Sequence, residues 1–292
     1  MKKFSLLVLV LSLVVATSCK YGSQTPFDKN NSVQSRIETI KILTDADTGI
    51  TESDWATWGD EFSFLILTDI HVGSLRSNSD DLPLQDFYDF LENLDSLGNK
   101  KPKFCFFLGD DIDYGDEKLI PEYEDFKSKI EAKGLKIFNV VGNHDLYQNG
   151  YDIWCKNNFP GTSFYKYAVN GVSFYCLDSG SGSFGSKQSK ILKTQMEADP
   201  NLKLVFTHYP LYTNMFEVSL DDPTERNLMV NLFNRNNVIG YFNGHIHRKE
   251  ETDCGLFIDY SVPSFRYRQS WTIITVNKAN RTVSETVYKG SK

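Results

Sequence analysis

The stretch FCFFLGDDID, residues 104–113, passes from an apolar run into a glycine followed by acidic residues. An apolar run of this length predicts a strand buried on both faces, with the acidic residues at its carboxyl end. Other strand-like runs lead in the same way into TDIH (68–71), GNHD (142–145), HYP (208–210) and NGHIH (243–247). Loops at the carboxyl ends of strands converge on one crevice in α/β sheets, so we expect these residues to form a single site.

The histidines support one shared site. The chain has five, and all of them fall in these segments: His71, His144, His208, His245 and His247. A lone histidine after a strand is usually a structural hydrogen-bonding residue, but five beside Asp and Asn indicate metal binding. For His144 the neighbouring residues fit catalysis as well as metal binding.

Strand-like and helix-like segments alternate from residue 62 onward, which predicts a mixed α/β fold. The strand-like runs are 62–68, 104–108, 135–141, 164–169, 173–177, 204–207, 238–243, 256–262, 272–276 and 282–288. The helix-like segments are 84–97, 119–133, 186–198 and 226–236. Asn170-Gly171 between two of the runs predicts a hairpin. The closing stretch contains strands only, and it predicts a second sheet packed on the first.

The composition is that of an ordinary globular protein. Its 292 residues, 40% hydrophobic and 24% charged, suffice for one large domain or two small ones. The formal net charge of -7 argues against a nucleic-acid polymer as partner, because binding its backbone requires clustered Lys and Arg. A small phosphorylated substrate is compatible with this charge, since bound cations reverse it locally.

The first residues resemble a bacterial lipoprotein signal. Lys2 and Lys3 precede an apolar run over 4–15, and three small residues stand directly before Cys19. The run is too short to span a bilayer comfortably, and its flanks are those of a secretory signal. The resemblance implies a signal peptide over 1–18, acylation of Cys19, and an exported cell-envelope lipoprotein anchored in the membrane by its lipid. The alternative is an ordinary secretory signal in which Cys19 is incidental.

The chain between this signal and the predicted domain is polar and rich in turn residues. Residues 20–33 are predicted to form a flexible tether, and residues 37–43 a short strand or an edge contact. The chain is thus divided into a signal peptide (1–18), a lipidated Cys19 with a linker (19–60) and one folded domain (61–292).

The other cysteines, residues 105, 155, 176 and 254, show no CxxC spacing, which argues against a structural zinc site. Cys105 and Cys176 lie in apolar strand-like runs, where buried free thiols are common. One disulfide is compatible with an oxidising compartment, but the sequence does not select its pair.

In their order along the chain, the polar segments resemble the motifs of the calcineurin-like metallophosphoesterase superfamily. The matching blocks, from about residue 62 to 250, are Asp69-x-His71, Gly109-Asp110, Gly142-Asn143-His144-Asp145, His208 and Gly244-His245-x-His247. The resemblance implies the fold of that family, a four-layer α-β-β-α sandwich of two mixed sheets with helices outside. It also implies a hydrolase of phosphate esters that binds two divalent metal ions.

The resemblance implies seven metal ligands: Asp69, His71 and His247 for one ion, Asn143, His208 and His245 for the other, and Asp110 as the bridge between them. Independently of the family, imidazole, amide and carboxylate ligands suit manganese, iron or zinc better than calcium. A carboxylate has two oxygens and can hold two cations roughly 3.5 to 4 Å apart, which suits the clamping of a phosphoryl group.

The implied mechanism gives catalytic roles to His144 and Asp113. A water or hydroxide between the two ions attacks phosphorus in line, and His144 protonates the leaving alkoxide or steadies the phosphate. Asp113 matches the family aspartate that orients this histidine, and a carboxylate partner keeps an imidazole protonated. The alternative for Asp113 is that it only caps a loop. Asp145 could then be the partner of His144, or it could support a metal ligand.

Two departures from related patterns narrow the subfamily. Serine/threonine protein phosphatases of the superfamily have Arg and Glu where this chain has Tyr114 and Asp145. Purple acid phosphatases have Gly and a metal-binding Tyr where it has His71 and Asp113. The remaining similarity is to the bacterial phosphodiesterase-like branch.

The leading hypothesis is therefore a phosphodiesterase that acts on a small phosphorylated substrate. A phosphomonoesterase is the enzymatic alternative, because the same two-metal centre serves both reactions. The alternative from another class is a metal-binding lipoprotein without turnover, which is disfavoured because every ligand position of the family pattern is retained.

Other residues near the motifs allow two interpretations. Four tyrosines either stack on a substrate or pack the crevice walls: Tyr114, Tyr147, Tyr209 and Tyr212. Arg248 follows the last histidine and either reaches a phosphate or forms a surface ion pair. Residues 265–268, which carry two more cations, are predicted to be solvated surface.

Overall fold

The structure, a computed structural model, describes residues 32–74, 84–215 and 219–291. The predicted signal peptide, Cys19 and most of the predicted tether lie outside these ranges, so their roles stay predictions from the sequence. In the part of the chain that is described, no helix has both the length and the apolar character needed to cross a membrane.

Two mixed sheets form the centre of the described chain. Their strands are β1 (Lys41–Ile42), β2 (Glu61–Leu67), β3 (Pro102–Phe107), β4 (Ile137–Asn139), β5 (Tyr165–Val169), β6 (Val172–Cys176), β7 (Leu202–Phe206), β8 (Val238–Asn243), β9 (Glu250–Asp253), β10 (Ile258–Ser261), β11 (Ser270–Asn277) and β12 (Thr282–Lys289). One sheet has the order β1-β5-β6-β7-β8-β10-β9, and the other has the order β12-β11-β2-β3-β4.

The closing strands are divided between the two sheets. β10 pairs parallel with β8 and antiparallel with β9, whereas β11 pairs antiparallel with β2 and β12. The expected second sheet is present and packs on the first, but of the closing strands only β11 and β12 belong to it, whereas β9 and β10 extend the other sheet. The physical reason is that β2 is apolar on both faces and needs a neighbour on each side, and β11 supplies the second one.

Helices surround the sheets. The α-helices are α1 (Val33–Arg36), α2 (Asp45–Thr48), α3 (Glu52–Trp55), α4 (Leu84–Glu92), α5 (Ile120–Glu131), α6 (Gly150–Asn157), α7 (Gly185–Ala198), α8 (Pro223–Arg235) and α9 (Phe265–Arg268). Shorter 3₁₀ segments occupy Leu94–Lys100, Glu117–Leu119 and His144–Asn149.

An aromatic core fills the space between the sheets. Side chains alternate along β3, so Phe104 and Phe106 face the other sheet, while Phe107 faces the helices outside. The Phe106 ring stacks on Phe206 of β7, with 3.8 Å between the ring centroids. Residues on α4 and α5 cover one outer face, and residues on α7 and α8 cover the other. This order of layers confirms the predicted four-layer α-β-β-α sandwich.

The segment before residue 61 is partly folded against the domain. Val33, Ile37 and Ile40 are buried in the core cluster that α7 and α8 form, and β1 extends the larger sheet as an edge strand beside β5. The edge contact expected for residues 37–43 is therefore confirmed. Within the linker predicted for residues 19–60, Val33, Ile37, Ile40 and Leu43 are buried against the domain, whereas Ile42 is exposed.

A buried ion pair fixes this segment. Arg36 donates through its guanidinium to both carboxylate oxygens of Asp178, at 2.8 and 2.7 Å, and both side chains are fully buried. The adjacent residue, Ser179, accepts hydrogen bonds through Oγ from the backbone N–H groups of His208 and Tyr209. The N-terminal segment is thus connected to the loop that carries His208.

Arg36→Met is expected to lower the free energy of unfolding by about 3–5 kcal/mol, because it leaves the Asp178 carboxylate buried without its cation. Denaturant unfolding of the purified protein measures the change. Lys101→Met is the matched control, because Lys101 pairs with Asp95 at 2.6 Å on the surface, where an ion pair contributes less than about 1 kcal/mol. Equal losses for the two variants would contradict a structural role for the buried pair.

The described cysteines are all free thiols, and they include the two predicted in strands, Cys105 and Cys176, which are buried. The structure therefore contains no disulfide among residues 105, 155, 176 and 254.

Candidate metal centre

The seven residues predicted as metal ligands converge at one edge of the sandwich. They follow strands of both sheets: β2 and β3, the strand region of β4, and β7 and β8. Their ligand atoms form two adjoining groups, Asp69, His71 and His247 in the first, and Asp110, His208 and His245 in the second. Asn143 joins the second group, because its Oδ1 lies 3.1 Å from Nε2 of His208.

The first group has the geometry of a cation site. Nε2 of His247 lies 3.1 Å from Oδ1 of Asp69, and Nε2 of His71 lies 3.9 Å from the same oxygen. Oδ1 of Asp69 and Nε2 of His71 are buried and have no hydrogen-bond partner. Buried polar atoms nearly always have a hydrogen-bond partner. Two such atoms that lack one, and whose lone pairs point toward the same place, fit a bound metal ion.

The second group presents its lone pairs in the same way. Nδ1 of His208 lies 2.8 Å from the carbonyl oxygen of Leu108 and donates to it, which leaves Nε2 as the ligand atom. Nδ1 of His245 lies 3.2 Å from that Nε2. Two imidazole nitrogens and an amide oxygen gathered at these distances fit a divalent transition metal better than calcium.

Asp110 lies between the two groups. Its Oδ2 is 3.7 Å from Nε2 of His71 and 3.3 Å from Nε2 of His208. Its Oδ1 accepts a hydrogen bond of 2.8 Å from the backbone N–H of His144. One carboxylate oxygen thus faces both groups, which is the position that a bridging ligand needs.

The protonation states favour cation binding. Burial raises the pKa of Asp110, but the neighbouring histidines His208, His144 and His71 outweigh this effect and hold the pKa well below its usual range. Burial and the nearby His208 lower the pKa of His245 to about 3, so its imidazole is neutral. Burial lowers the pKa of His208, but Asp110 raises it to about 9, so a cation at this position displaces a proton.

The loops that carry the ligands are strained and tightly packed. Asp69, His71, Asp110, His245 and His247 all have positive φ, between 48 and 64°. Such conformations cost of order 1–3 kcal/mol each and occur mostly at functional sites. Two glycines allow the close approach of these loops: a Cβ at residue 142 would lie 2.2 Å from Oδ1 of Asp110, and one at residue 244 would lie 1.9 Å from Thr68.

Asp145 connects two of these loops through the backbone. Its Oδ2 accepts N–H bonds from Asp110 at 2.9 Å and Gly142 at 2.8 Å, and its Oδ1 accepts one from Asp111 at 2.9 Å. Of the two carboxylates considered as partners of His144, the structure places Asp113 beside it, whereas Asp145 binds backbone amides.

Asp113 lies between two imidazoles. Its Oδ1 is 3.1 Å from Nδ1 of His71 and 3.3 Å from Nδ1 of His144, and its carbonyl oxygen is 2.9 Å from Nδ1 of His144. The contact with His71 was not predicted; it orients Nε2 of His71 toward the first group. Burial lowers the pKa of His144, but Asp110 and the hydrogen bonds that Asp113 accepts from the imidazole raise it to about 9. His144 is therefore protonated at neutral pH, with Nε2 as its remaining nitrogen.

The segment from Ser264 to Arg268 supports the first group and was missed. Ser264 Oγ donates to the carbonyl oxygen of Asp69 at 3.0 Å, and Arg266 Nε donates to that of Ile70 at 3.0 Å. The Tyr267 ring stacks on His247 at 4.7 Å between centroids. The prediction that residues 265–268 are solvated surface is wrong for Phe265 and Arg266, which are buried, and holds for Arg268, which is exposed. The serine at the start of a helix of four residues is the only sequence signal for this segment, and it is a weak one.

The structure also gives the contacts of three of the four tyrosines near the motifs and of Arg248. Tyr209 stacks on His245 at 3.9 Å between centroids, and Tyr147 lies 4.7 Å from the His144 ring. Tyr212 donates its hydroxyl to Asn227, away from the metal ligands. Arg248 forms an ion pair of 2.9 Å with Glu250, which favours the surface interpretation of that residue.

Comparison with known proteins identifies the family. The model of the calcineurin-like phosphoesterase family matches residues 62–249, the part of the chain that carries all seven predicted ligands. The chain belongs to this family, whose members depend on two metal ions, and it is a hydrolase of phosphoric esters. The search of curated protein sequences gives no match.

Solved structures share the fold at low sequence identity. A dimetal phosphatase from Danio rerio is 12% identical, with a TM-score of 0.57, and the match covers 79% of this chain and 99% of that one. GAP50, the anchor in the inner membrane complex of Plasmodium, is 16% identical, with a TM-score of 0.59 and coverage of 80% and 85%. Purple acid phosphatase PPD1 from yellow lupin is 14% identical, with a TM-score of 0.61 and coverage of 80% and 52%. These likenesses show the fold alone.

Proposed function

We propose that the protein is a phosphodiesterase of the bacterial branch of this family, with His144 as general acid and two ions of manganese, iron or zinc. When bound, such ions supply Lewis acidity toward the phosphoryl oxygens and lower the pKa of a bound water. The ligand set supports this proposal through its mixture of imidazole, amide and carboxylate groups.

Two side chains supply the general acid: Asp113 orients His144, and His144 provides the proton for the leaving group. Asp113 holds Nδ1 of His144 at 3.3 Å, so that the opposite nitrogen points away from the carboxylate. The His144 side chain is 22% exposed, while Asp110 behind it is buried, so the acid borders the open side of the centre. From this position the imidazolium donates its proton to the oxygen of the leaving alkoxide.

The observation that carries the preference for a diester is a pair of tyrosines, one beside each of the two ligand groups. Tyr267 stacks on His247 of the first group, and Tyr209 stacks on His245 of the second. Aromatic rings on both flanks favour a substrate that has an organic group on each side of phosphorus. A phosphodiester has two such groups, whereas a monoester has one.

A phosphomonoesterase is the second candidate, and one residue favours it. Arg268 is exposed, and its Nε donates to the carbonyl oxygen of His247 at 3.2 Å, which places a cation beside the first group. A phosphomonoester carries up to one more negative charge than a diester, and a guanidinium at this position would stabilise it.

A comparison of two aryl esters tests the proposal. We expect the manganese-loaded protein to hydrolyse bis-p-nitrophenyl phosphate with a higher kcat/KM than p-nitrophenyl phosphate, with Asp110→Asn as the blank. A preference for the monoester that Arg268→Met abolishes would replace the phosphodiesterase by the phosphatase.

The cellular location is part of the proposal and is supported by the sequence alone. The signal-like residues 1–18 and Cys19 favour an envelope lipoprotein anchored by its lipid.

A further inference from the structure

Tyr147 contacts a side chain of the second ligand group directly. Nδ2 of Asn143 donates a hydrogen bond of 2.9 Å to the Tyr147 hydroxyl oxygen. On the other side of the same amide, Oδ1 faces Nε2 of His208 at 3.1 Å. The amide is therefore held with its oxygen toward the ligand group and its NH₂ toward the tyrosine.

This orientation matters because the two ends of an asparagine amide differ in chemistry. The oxygen has lone pairs and can bind a cation, whereas the NH₂ group is a donor and repels one. A rotation of the Asn143 amide by half a turn would replace the ligand atom by N–H groups. The Tyr147 hydroxyl opposes that rotation by accepting a hydrogen bond from the NH₂ end.

The backbone fixes the position of Tyr147. Its carbonyl oxygen accepts a hydrogen bond of 3.0 Å from the N–H of Gly115, in the loop that carries Asp113. The two following residues, Gln148 and Asn149, have positive φ of 55 and 62°, so the chain turns sharply directly after the tyrosine. The main chain that carries the tyrosine is thus fixed to the loop of Asp113.

We propose that Tyr147 is a positioning residue for the second metal ion, acting through the amide of Asn143. This inference rests on the proposed ligand set, and it adds a residue that orients one of those ligands. Groups that orient metal ligands typically contribute 10- to 100-fold to metal affinity or activity. Tyr147→Phe removes only the hydroxyl oxygen and keeps the ring beside His144.

The test is a titration of metal-free protein with Mn²⁺ by calorimetry. We expect the wild type to bind two ions, and Tyr147→Phe to bind one ion normally and the other about 10- to 100-fold more weakly. Turnover of Tyr147→Phe should be low at limiting Mn²⁺ and should return toward the wild-type value at excess Mn²⁺. The matched control is Tyr212→Phe, because the Tyr212 hydroxyl donates to Asn227 at 2.7 Å and not to a predicted metal ligand.

The outcomes separate this inference from the proposed function. Two ions bound with unchanged affinities by Tyr147→Phe would overturn the role of Tyr147 and leave the metal centre intact. Fewer than two ions bound by the wild type would overturn both. Equal weakening of both ions, or a melting temperature that falls further than in Tyr212→Phe, would show a general structural effect and would also overturn the inference.

Discussion

Replacing Asp110 by asparagine is expected to release the bound metal ions and to reduce turnover by about 10³-fold or more. The oxygen that faces both ligand groups, Oδ2, lies 3.7 Å from Nε2 of His71 and 3.3 Å from Nε2 of His208. An amide at this position carries no charge and has only one oxygen with which to bind a cation. Metal ions contribute several kcal/mol to transition-state stabilisation, and about 4 kcal/mol corresponds to 10³-fold in rate.

Metal content and turnover should fall together in this variant. Elemental analysis after gel filtration measures the first, and hydrolysis of bis-p-nitrophenyl phosphate measures the second. Asp111→Asn is the matched control, because Asp111 faces away from the centre and accepts a hydrogen bond from Tyr123 at 2.9 Å. Burial raises the pKa of Asp111 well above its usual value, so the neutral amide replaces a carboxyl group whose charged form is already disfavoured.

The control should therefore keep both metal and turnover. Full activity in Asp110→Asn with two ions retained would contradict the bridging role. Equal losses in both variants would show that the loop tolerates no amide in either position, and the charge of Asp110 would then have no special role.

The parallel strands and the clustering of ligand-type residues at their ends were predictable from local sequence, whereas the division of these residues between two ions came from the resemblance to the family. Each relevant strand is apolar on both faces and ends at a ligand-type residue, as in the passage from Phe107 to Asp110. The carboxyl ends of such strands meet at one edge of the sheet, so residues that follow different strands were expected to lie close together in the fold. The observed β2, β3, β7 and β8 overlap the predicted runs for this reason.

The elements that were missed lack such a signal. β9, Glu250–Asp253, is entirely polar because it lies at the edge of its sheet, and its pattern resembles that of a loop. The segment around Arg36 contains few apolar residues in a polar stretch, and its partner, Asp178, is far away in sequence. Propensity and periodicity report only nearby residues, so a contact of this kind has no local pattern.

The supporting contacts of the site were hidden for a related reason. Asp145 binds backbone N–H groups and not a side chain, and any residue can offer a backbone N–H. Ser264 and Tyr267 follow the last ligand by many residues and reach the centre only because β10 and β11 belong to different sheets. Only a few side-chain types bind metal, so candidate ligands can be recognised in the sequence. Many residue types can orient a ligand, so such residues cannot be recognised in this way.

His144→Ala is expected to keep both metal ions and to lose turnover of esters that have an alkyl leaving group by about 10²- to 10⁴-fold. The imidazole of His144 clusters with His71 and Asp113 and lies in neither of the two groups assigned to the ions; its backbone N–H bonds to Asp110. Hydrolysis of bis-p-nitrophenyl phosphate should fall much less, because p-nitrophenolate leaves without a proton. Comparable losses for alkyl and p-nitrophenyl esters, or loss of metal, would contradict a role as general acid.

The pH dependence provides a second measurement of the same role. The pKa of His144 is raised to about 9, chiefly because Asp110 and Asp113 outweigh the effect of burial. A general acid must be protonated, so kcat for an alkyl diester should be retained below the pKa that His144 has in the loaded enzyme and lost as the pH rises through it. Bound cations neutralise Asp110 and therefore move this pKa downward. Asp113→Asn removes one of the two carboxylates and should lower the pKa of His144, so the alkaline limb should move to lower pH. An unchanged alkaline limb in Asp113→Asn would mean that His144 is not the group that titrates.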